Sequence, residues 1–151
     1  MKILVTGGAG FIGSHVVDAY VEQGHQVTVV DDLSTGKLEN LNPAANFVEM
    51  GITDEGLSDL FAREKFDVVN HHAAQISVPY SVKHPDLDLR SNGFGVLNLL
   101  EASVKNKVSR FIFISSGGAV YGEQEELPIK EETLPKPLSP YAAHKLLGES
   151  Y

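Results

Sequence analysis

Residues 1–13 read Met-Lys-Ile-Leu-Val-Thr-Gly-Gly-Ala-Gly-Phe-Ile-Gly, and they are the strongest indication of the fold. A short apolar strand leads directly into Gly7, Gly10 and Gly13, and a helix-forming segment follows. In such a turn the first glycine permits a tight bend, the second lets backbone approach a pyrophosphate, and the third allows close packing of helix on strand. The helix start points free N–H groups and its positive dipole end at the phosphates. The stretch therefore predicts a dinucleotide-binding turn, against the simpler alternative of a structural turn.

The second strand supports this interpretation, because its apolar run ends in a carboxylate. Val27 to Val30 lead to Asp31, which lies 18 residues after Gly13. An acid that binds the adenosine ribose is expected there. Asp31 and Asp32 would repel a 2′-phosphate, which favours NAD over NADP, although Lys37 is a nearby cation. The alternative for Asp31 is a solvated strand end.

Composition excludes several classes of protein. The 151 residues include 12 Lys and Arg against 20 Asp and Glu, a net charge of −8. An acidic surface disfavours nucleic acid or an anionic membrane as the main partner. There are no cysteines, so a disulfide framework or thiolate metal site is excluded. No signal peptide fits before the first strand and no apolar run is long enough to cross a membrane, so we expect a cytoplasmic protein.

Alternating strands and helices predict an α/β fold, a doubly wound parallel sheet of Rossmann type. Strands are expected near 2–6, 26–31, 46–50, 67–71 and 109–115, and helices near 11–23, 55–64, 85–106 and 139–150. Right-handed crossovers give the strand order 3-2-1-4-5. We expect residues 1–151 to form one dinucleotide-binding domain that is incomplete, without later strands or a substrate domain. Strand 109–115 would then be an apolar sheet edge, which favours association.

Two features late in the chain indicate an enzyme. Tyr141 and Lys145 are four residues apart and share a helical face. An ammonium beside a phenol stabilises its phenolate form, so the phenol can take a proton from a hydroxyl while hydride leaves the same carbon. An apolar strand also ends at Ser115 and Ser116, and ligands bind at the carboxyl ends of such strands. The alternative for Tyr141 and Lys145 is a pair of exposed residues without a catalytic role. The alternative for the serines is that they only begin the following loop.

A metal site is not expected. His71 and His72 are adjacent on a predicted strand, so their side chains point to opposite faces of the sheet. The sequence places no cluster of acids or cysteines near them. His71 is expected to pack beneath the cofactor instead.

The motifs together resemble those of the extended short-chain dehydrogenase/reductases, in the NAD-dependent epimerase/dehydratase family, and most closely its nucleotide-sugar 4-epimerases. The similarity extends over essentially all 151 residues. It depends on the segments 6–14 (TGGAGFIGS), 31–36 (DDLSTG), 71–75 (HHAAQ), 92–101 (NGFGVLNLLE), 119–122 (AVYG) and 139–141 (SPY), the last leading to Lys145.

The resemblance implies an NAD cofactor and names its contacts. Together with the glycine turn, the expected cofactor-binding residues are Gly7, Gly10, Phe11, Ile12, Gly13, Asp31, Asp32, Leu33, Ser34, Thr35, Gly36, Ile52, Ala73, Ala74, Gln75, Asn92, Ser115, Tyr141 and Lys145. The expected catalytic residues are Ser116, Tyr141 and Lys145. Gly51, where relatives carry an acid before the Ile, is expected to weaken the adenine contact, with Asp54 as a partial substitute.

The implied reaction is epimerisation at C4 of a nucleotide sugar, most simply a UDP-hexose, through a 4-keto sugar with NAD regenerated in each cycle. Gly117 stands where many relatives place the catalytic hydroxyl, which is why Ser116 is favoured and Ser115 is held in reserve. Gly118 and Ala119 replace the Asp-Glu pair of the dehydratases, so dehydration is disfavoured. The resemblance also implies a homodimer through the two late helices, and little or no activity from these 151 residues alone. The alternatives are a nucleotide-sugar reductase, a uronate decarboxylase and a non-catalytic NAD-binding module.

Overall fold

The computed structural model describes residues 1–151, and its elements alternate between strands and helices. In chain order they are β1 (Lys2–Thr6), α1 (Phe11–Glu22), β2 (Gln26–Asp31), a 3-10 turn (Leu38–Asn40), β3 (Asn46–Glu49), α2 (Leu57–Glu64), β4 (Val68–His71), α3 (Val78–Lys83), α4 (Pro85–Leu89), a π-turn (Arg90–Phe94), α5 (Gly95–Lys105), β5 (Arg110–Phe113), α6 (Gly117–Val120) and α7 (Pro140–Ser150).

The chain divides into two compact units. The sheet unit comprises residues 1–74 and 98–114, and the helical unit comprises residues 75–97 and 115–151. The five strands of the sheet unit are parallel and ordered β3-β2-β1-β4-β5. The predicted α/β class and strand order are therefore confirmed.

The core of the sheet unit lies on both faces of the sheet. Leu4 of β1 belongs to a buried cluster with Val69 and Leu99, whereas Ile3 and Val5 belong to a second cluster. Successive side chains of a strand point to opposite faces, so a strand that is apolar throughout is buried on both sides. This packing explains why β1 reads as a continuous apolar run.

The segment predicted as one helix over 85–106 is interrupted. The prediction was wrong in detail, because α4, the π-turn and α5 follow one another there, and α3 precedes them. The Ser77 hydroxyl caps α3 by accepting the Tyr80 N–H at 3.3 Å, and a proline stands in the first turn of α3 and of α4. Proline has no N–H to donate, so it begins a helix more readily than it continues one.

Between β5 and α7 the chain forms the one-turn helix α6. No helix of the chain is both long enough and apolar enough to traverse a bilayer. No group of three or more His, Cys, Asp or Glu side chains is arranged to hold a metal ion.

Candidate functional site

The glycine turn between β1 and α1 leaves no room for side chains. Gly7 has φ +71°, and a Cβ there would lie 2.6 Å from the Ala73 nitrogen. A Cβ on Gly13 would lie 2.2 Å from the Gly7 carbonyl oxygen. The Gly7 N–H donates to the Val30 carbonyl at 2.8 Å, which ties the turn to β2. The turn is thus a tight cradle of bare backbone, the shape that a diphosphate requires.

The first turn of α1 offers unused amides beside this cradle. The first helical bond runs from the Ser14 N–H to the Gly10 carbonyl at 3.0 Å, so the amides of Phe11, Ile12 and Gly13 have no intrahelical acceptor. No acidic side chain occupies this first turn, and Phe11 and Ile12 are 80% and 62% exposed. These residues fit the anionic linkage of a dinucleotide.

Asp31 connects the glycine turn to the loop after β2. Its carboxylate is buried, and it accepts the Ala9 N–H at 3.0 Å and the Leu33 N–H at 2.9 Å. A Cβ on Gly36 would lie 2.7 Å from Asp31 Oδ1, so the loop closes directly over this acid. The Lys37 N–H then donates to the Ala9 carbonyl at 3.0 Å. That Asp31 holds this loop in place was not predicted from the sequence. Each of its carboxylate oxygens still has a second lone pair that can accept a ribose hydroxyl.

The rest of that loop is held by Asp32. Its Oδ1 accepts the Ser34 N–H at 2.9 Å and the Ser34 hydroxyl at 2.6 Å. Lys37 Nζ lies 3.5 Å from Glu39 Oε1, and both side chains are well exposed. The cation that could have favoured a 2′-phosphate therefore has a carboxylate neighbour of its own.

Three of the predicted residues that follow β3 and β4 lie within the sheet unit: Ile52, Ala73 and Ala74. Ile52 is buried in the core, and its carbonyl accepts the Asn98 side-chain amide at 2.8 Å. Asp54 Oδ2 accepts the Gly51 N–H at 2.8 Å, so one oxygen of this acid already has a local donor. The Ala73 N–H donates to Thr6 Oγ1 at 3.3 Å, which holds the start of the 73–74 segment against β1.

His71 and Thr6 form a buried polar pair at the carboxyl ends of β4 and β1. Thr6 Oγ1 lies 2.7 Å from His71 Nδ1, and both residues are buried. The His71 ring packs against Phe111 and Phe113, with centroid separations of 6.2 and 5.8 Å. These contacts hold His71 at the end of β4, and its expected position beneath the cofactor stays a prediction.

Tyr141 and Lys145 are buried together on α7 of the helical unit. They are 9% and 5% exposed, and Lys145 Nζ lies 6.0 Å from the centre of the Tyr141 ring. The Ser139 hydroxyl caps the helix by accepting the Ala142 N–H at 3.2 Å, and the Tyr141 N–H donates to Ser81 Oγ at 3.2 Å. Because both side chains are buried, they are not a pair of exposed residues on the helix surface.

Burial lowers the pKa of Lys145 from 10.5 to about 8, because the ammonium loses its hydration, and the negative charge of Asp88 partly opposes this effect. Lys145 therefore remains mainly protonated at neutral pH. It is nevertheless close enough to its titration range for small changes in its surroundings to alter its charge.

The lowered pKa predicts a specific pH dependence of stability. Between pH 8 and 10.5 the unfolded chain binds more protons than the folded chain, so the free energy of unfolding rises with pH in this window. Relative to a Lys145→Met variant, we expect the unaltered chain to gain about 3 kcal/mol between pH 7.5 and 10.5. Urea unfolding at a series of pH values measures this difference. Lys83→Met, which removes an exposed ammonium from α3, is the control; a flat difference for Lys145→Met would contradict the burial effect.

Asn92 and Gln75 are joined by a reciprocal pair of hydrogen bonds. The Gln75 N–H donates to Asn92 Oδ1 at 3.0 Å, and Asn92 Nδ2 donates to the Gln75 carbonyl at 2.8 Å. Asn92 is 2% exposed and lies in the π-turn, a helical irregularity that is frequent at functional sites. The structure thus brings these two predicted residues together.

The two serines after β5 have different surroundings. The Ser115 hydroxyl donates to Glu149 Oε1, which links it to α7. Ser116 is the residue before α6, and its side chain makes no capping bond there. Its hydroxyl is thus not used to cap the helix, and its catalytic role stays a prediction.

Two side chains of the helical unit were not predicted. Asp88 is fully buried, and His144 Nδ1 lies 2.5 Å from its Oδ2. A sequence signal existed, because Asp88 precedes Asn92 by four residues and so shares its helical face.

Comparison with known proteins gives a consistent result. The model of the NAD dependent epimerase/dehydratase family matches residues 3–151. The UDP-glucose 4-epimerases of Mycolicibacterium smegmatis and Lactobacillus helveticus are 46% and 42% identical, over 100% and 99% of this chain and 50% and 45% of those proteins.

Two solved structures that resemble this chain are also of UDP-glucose 4-epimerases. A UDP-glucose 4-epimerase from Thermotoga maritima, with UDP-glucose, has a TM-score of 0.97 and 51% identity, with 100% of this chain and 50% of that chain covered. The Thermus thermophilus enzyme in complex with NAD has a TM-score of 0.96 and 46% identity, with 100% and 49% covered. The chain thus spans about half the length of the relatives that it matches.

Proposed function

Because the chain belongs to the NAD-dependent epimerase/dehydratase family, we propose that it supplies the cofactor-binding and proton-transferring parts of a nucleotide-sugar 4-epimerase that acts on a UDP-hexose. The observation that carries this proposal is the buried Tyr141–Lys145 pair on α7, in a chain 51% identical to a UDP-glucose 4-epimerase over its whole length. We also propose a homodimer that forms through α5 and α7. Phe94, just before α5, is 59% exposed and offers apolar surface for this contact.

The sheet unit carries the proposed dinucleotide contacts. The amides of Phe11, Ile12 and Gly13 would bind the pyrophosphate, since they have no helical acceptor. Asp31 would accept hydroxyls of the adenosine ribose, and the loop that it braces would cover that sugar. The proposed roles of Gln75, Asn92, Ser115, Tyr141 and Lys145 toward NAD depend on the family resemblance.

The proposed chemistry divides between the cofactor and α7. When bound, NAD supplies a hydride acceptor that can later return the hydride to the other face of the sugar. Tyr141 would take the proton of the 4-hydroxyl and give it back when the ketone is reduced. Lys145, charged at neutral pH, would stabilise the negative charge that develops on the phenol oxygen. The Ser116 hydroxyl would hydrogen-bond the reacting oxygen.

The proposed cofactor is tested by calorimetry. We expect the 151-residue chain to bind NAD at least about tenfold more tightly than NADP, because Asp31 and Asp32 would repel the 2′-phosphate. Asp32→Asn, which keeps an oxygen for the Ser34 N–H, is expected to narrow this ratio. Asp59→Asn removes an exposed charge from α2 of the same unit and is the control. Absence of heat with NAD, or equal affinity for NADP, would refute the assignment.

The proposed reaction is tested in a joined protein, in which residues 1–151 are followed by the half of the Thermotoga maritima enzyme that this chain does not cover. We expect this joined protein to interconvert UDP-glucose and UDP-galactose without net reduction of added NAD. We expect no turnover from residues 1–151 alone, because they span half the length of the relatives.

The product distinguishes the alternatives. Release of CO2 from a UDP-uronate would indicate a decarboxylase, and stoichiometric consumption of NADH would indicate a reductase. A folded joined protein that binds NAD and converts none of these substrates would favour a binding module. None of these three results agrees with the proposed epimerase.

A further inference from the structure

The helical unit contains a fully buried carboxylate for which the proposed reaction has no role. Asp88, on α4, is 0% exposed. Its Oδ1 accepts hydrogen bonds from Gln75 Nε2 at 2.5 Å and from Asn92 Nδ2 at 3.1 Å. Its Oδ2 lies 2.5 Å from His144 Nδ1, and since a carboxylate only accepts, that nitrogen carries the proton of the bond. Asp88 thus connects three side chains from three segments.

Lys145 follows His144 on α7, and it is buried in the same unit. The charge of Asp88 acts on the Lys145 ammonium and favours it, against the loss of hydration. A buried ammonium without an opposite charge is strongly disfavoured, so an acid is needed wherever such a lysine has to stay charged. Asp88 is buried in the same unit and is bonded to His144, the residue before Lys145, and its negative charge favours the ammonium.

Few other ionisable groups compete for this role. On α7 the neighbours are Tyr141, His144 and Glu149, and Glu149 is exposed. The elements that pack on α7 are α3, α4, the π-turn and α6. Apart from Asp88, their ionisable side chains are exposed: Tyr80, Lys83, Asp86 and Arg90. His84, between α3 and α4, is also exposed. Charges at the surface are screened by water and act only weakly on a buried group.

We propose that Asp88 is a positioning residue, whose buried carboxylate holds Asn92 and His144 in place and keeps the amine of Lys145, the residue after His144, charged. This role rests on the proposed function in one respect, that the charge of Lys145 is used in the proposed reaction. Asp88 acts through Lys145 and Asn92 and is given no contact with substrate or cofactor.

The decisive variant is Asp88→Asn, because it removes the charge and can keep the hydrogen bonds. The new amide oxygen can accept from Gln75 and Asn92, and its NH2 group can donate to His144 in the other ring tautomer. Asp86→Asn is the matched control, since it removes an exposed carboxylate two residues away on the same helix.

The measurement is the titration of Lys145 in the 151-residue chain, followed by NMR of the 13Cε resonance and assigned with Lys145→Met. In the unaltered chain we expect a midpoint near pH 8. In Asp88→Asn we expect the midpoint to fall by about one pH unit, the low end of the effect of an adjacent opposite charge. Asp86→Asn is expected to leave it in place. An unchanged midpoint in folded Asp88→Asn would overturn the proposal.

A second measurement needs no variant, should Asp88→Asn fail to fold. The 13Cγ resonance of Asp88 in the unaltered chain is expected to shift at the pH where Lys145 loses its proton, because the two charges interact. A flat Asp88 resonance through that pH would equally overturn the proposal. Calorimetry with NAD on the same samples tests the proposed function separately from the effect of Asp88 on Lys145. Failure to bind NAD refutes the proposed cofactor, and the Lys145 titration can still be measured.

Discussion

Replacing Tyr141 with Phe is expected to lower kcat of the joined protein by about 10³-fold, within the usual range for loss of a general acid–base group. Tyr141 is only 9% exposed, and Phe keeps its ring and removes only the hydroxyl, so the packing of α7 changes little. The backbone bond from residue 141 to Ser81 is also unaffected. The loss should fall on kcat, with little change in KM, because the missing group acts mainly in the transition state. Initial rates with UDP-galactose give both constants.

The matched control removes a phenol hydroxyl elsewhere in the same unit. Tyr80, on α3, is 39% exposed, and its ring lies 4.7 Å from that of His84. Tyr80→Phe keeps this ring contact, and we expect its turnover to remain within about twofold of the unaltered protein, as for most surface substitutions. Turnover by Tyr141→Phe within a few fold of the unaltered protein would show that another group moves the proton.

Replacing Gly13 with Ala is expected to weaken NAD binding at least about tenfold and to lower the free energy of unfolding by about 2–3 kcal/mol. Helix propensity alone predicts the opposite sign, since Gly→Ala inside a helix stabilises by about 0.5–1 kcal/mol. Here the new Cβ would lie 2.2 Å from the Gly7 carbonyl oxygen and 2.9 Å from its carbon. Both are backbone atoms and cannot rotate away, so the turn has to open. Calorimetry and urea unfolding measure the two effects.

Gly24→Ala separates this clash from backbone strain. Gly24 follows α1 with φ +76°, and no atom lies within 4 Å of a Cβ built there. We expect a cost of about 1 kcal/mol from the left-handed backbone, with NAD affinity unchanged. If Gly13→Ala bound NAD as tightly as Gly24→Ala, the close approach at the glycine turn would have no part in cofactor binding.

The strand order and the position of the turn were predictable because both depend on local patterns. The apolar runs of β1 and β2 identify strands, and the helix-containing connections between the strands are long enough for the crossovers that parallel pairing needs. The interruption of the helix around Asn92 was not predictable in the same way. Apolar periodicity continues through residues 85–105, and a π-turn changes the number of residues per turn without changing the residue types.

The sheet, the glycine turn and the helical face shared by Tyr141 and Lys145 follow from the order of the residues alone, because backbone conformation depends on neighbouring residues. Which polar groups are buried, and which groups they contact, is fixed by the folding of distant segments onto one another. Asp31 braces a loop, Asp88 joins α4 to α7, and Lys145 loses enough hydration to bring its pKa to about 8. Hydration and charge pairing depend on segments far apart in the chain, so no local pattern of residues contains them.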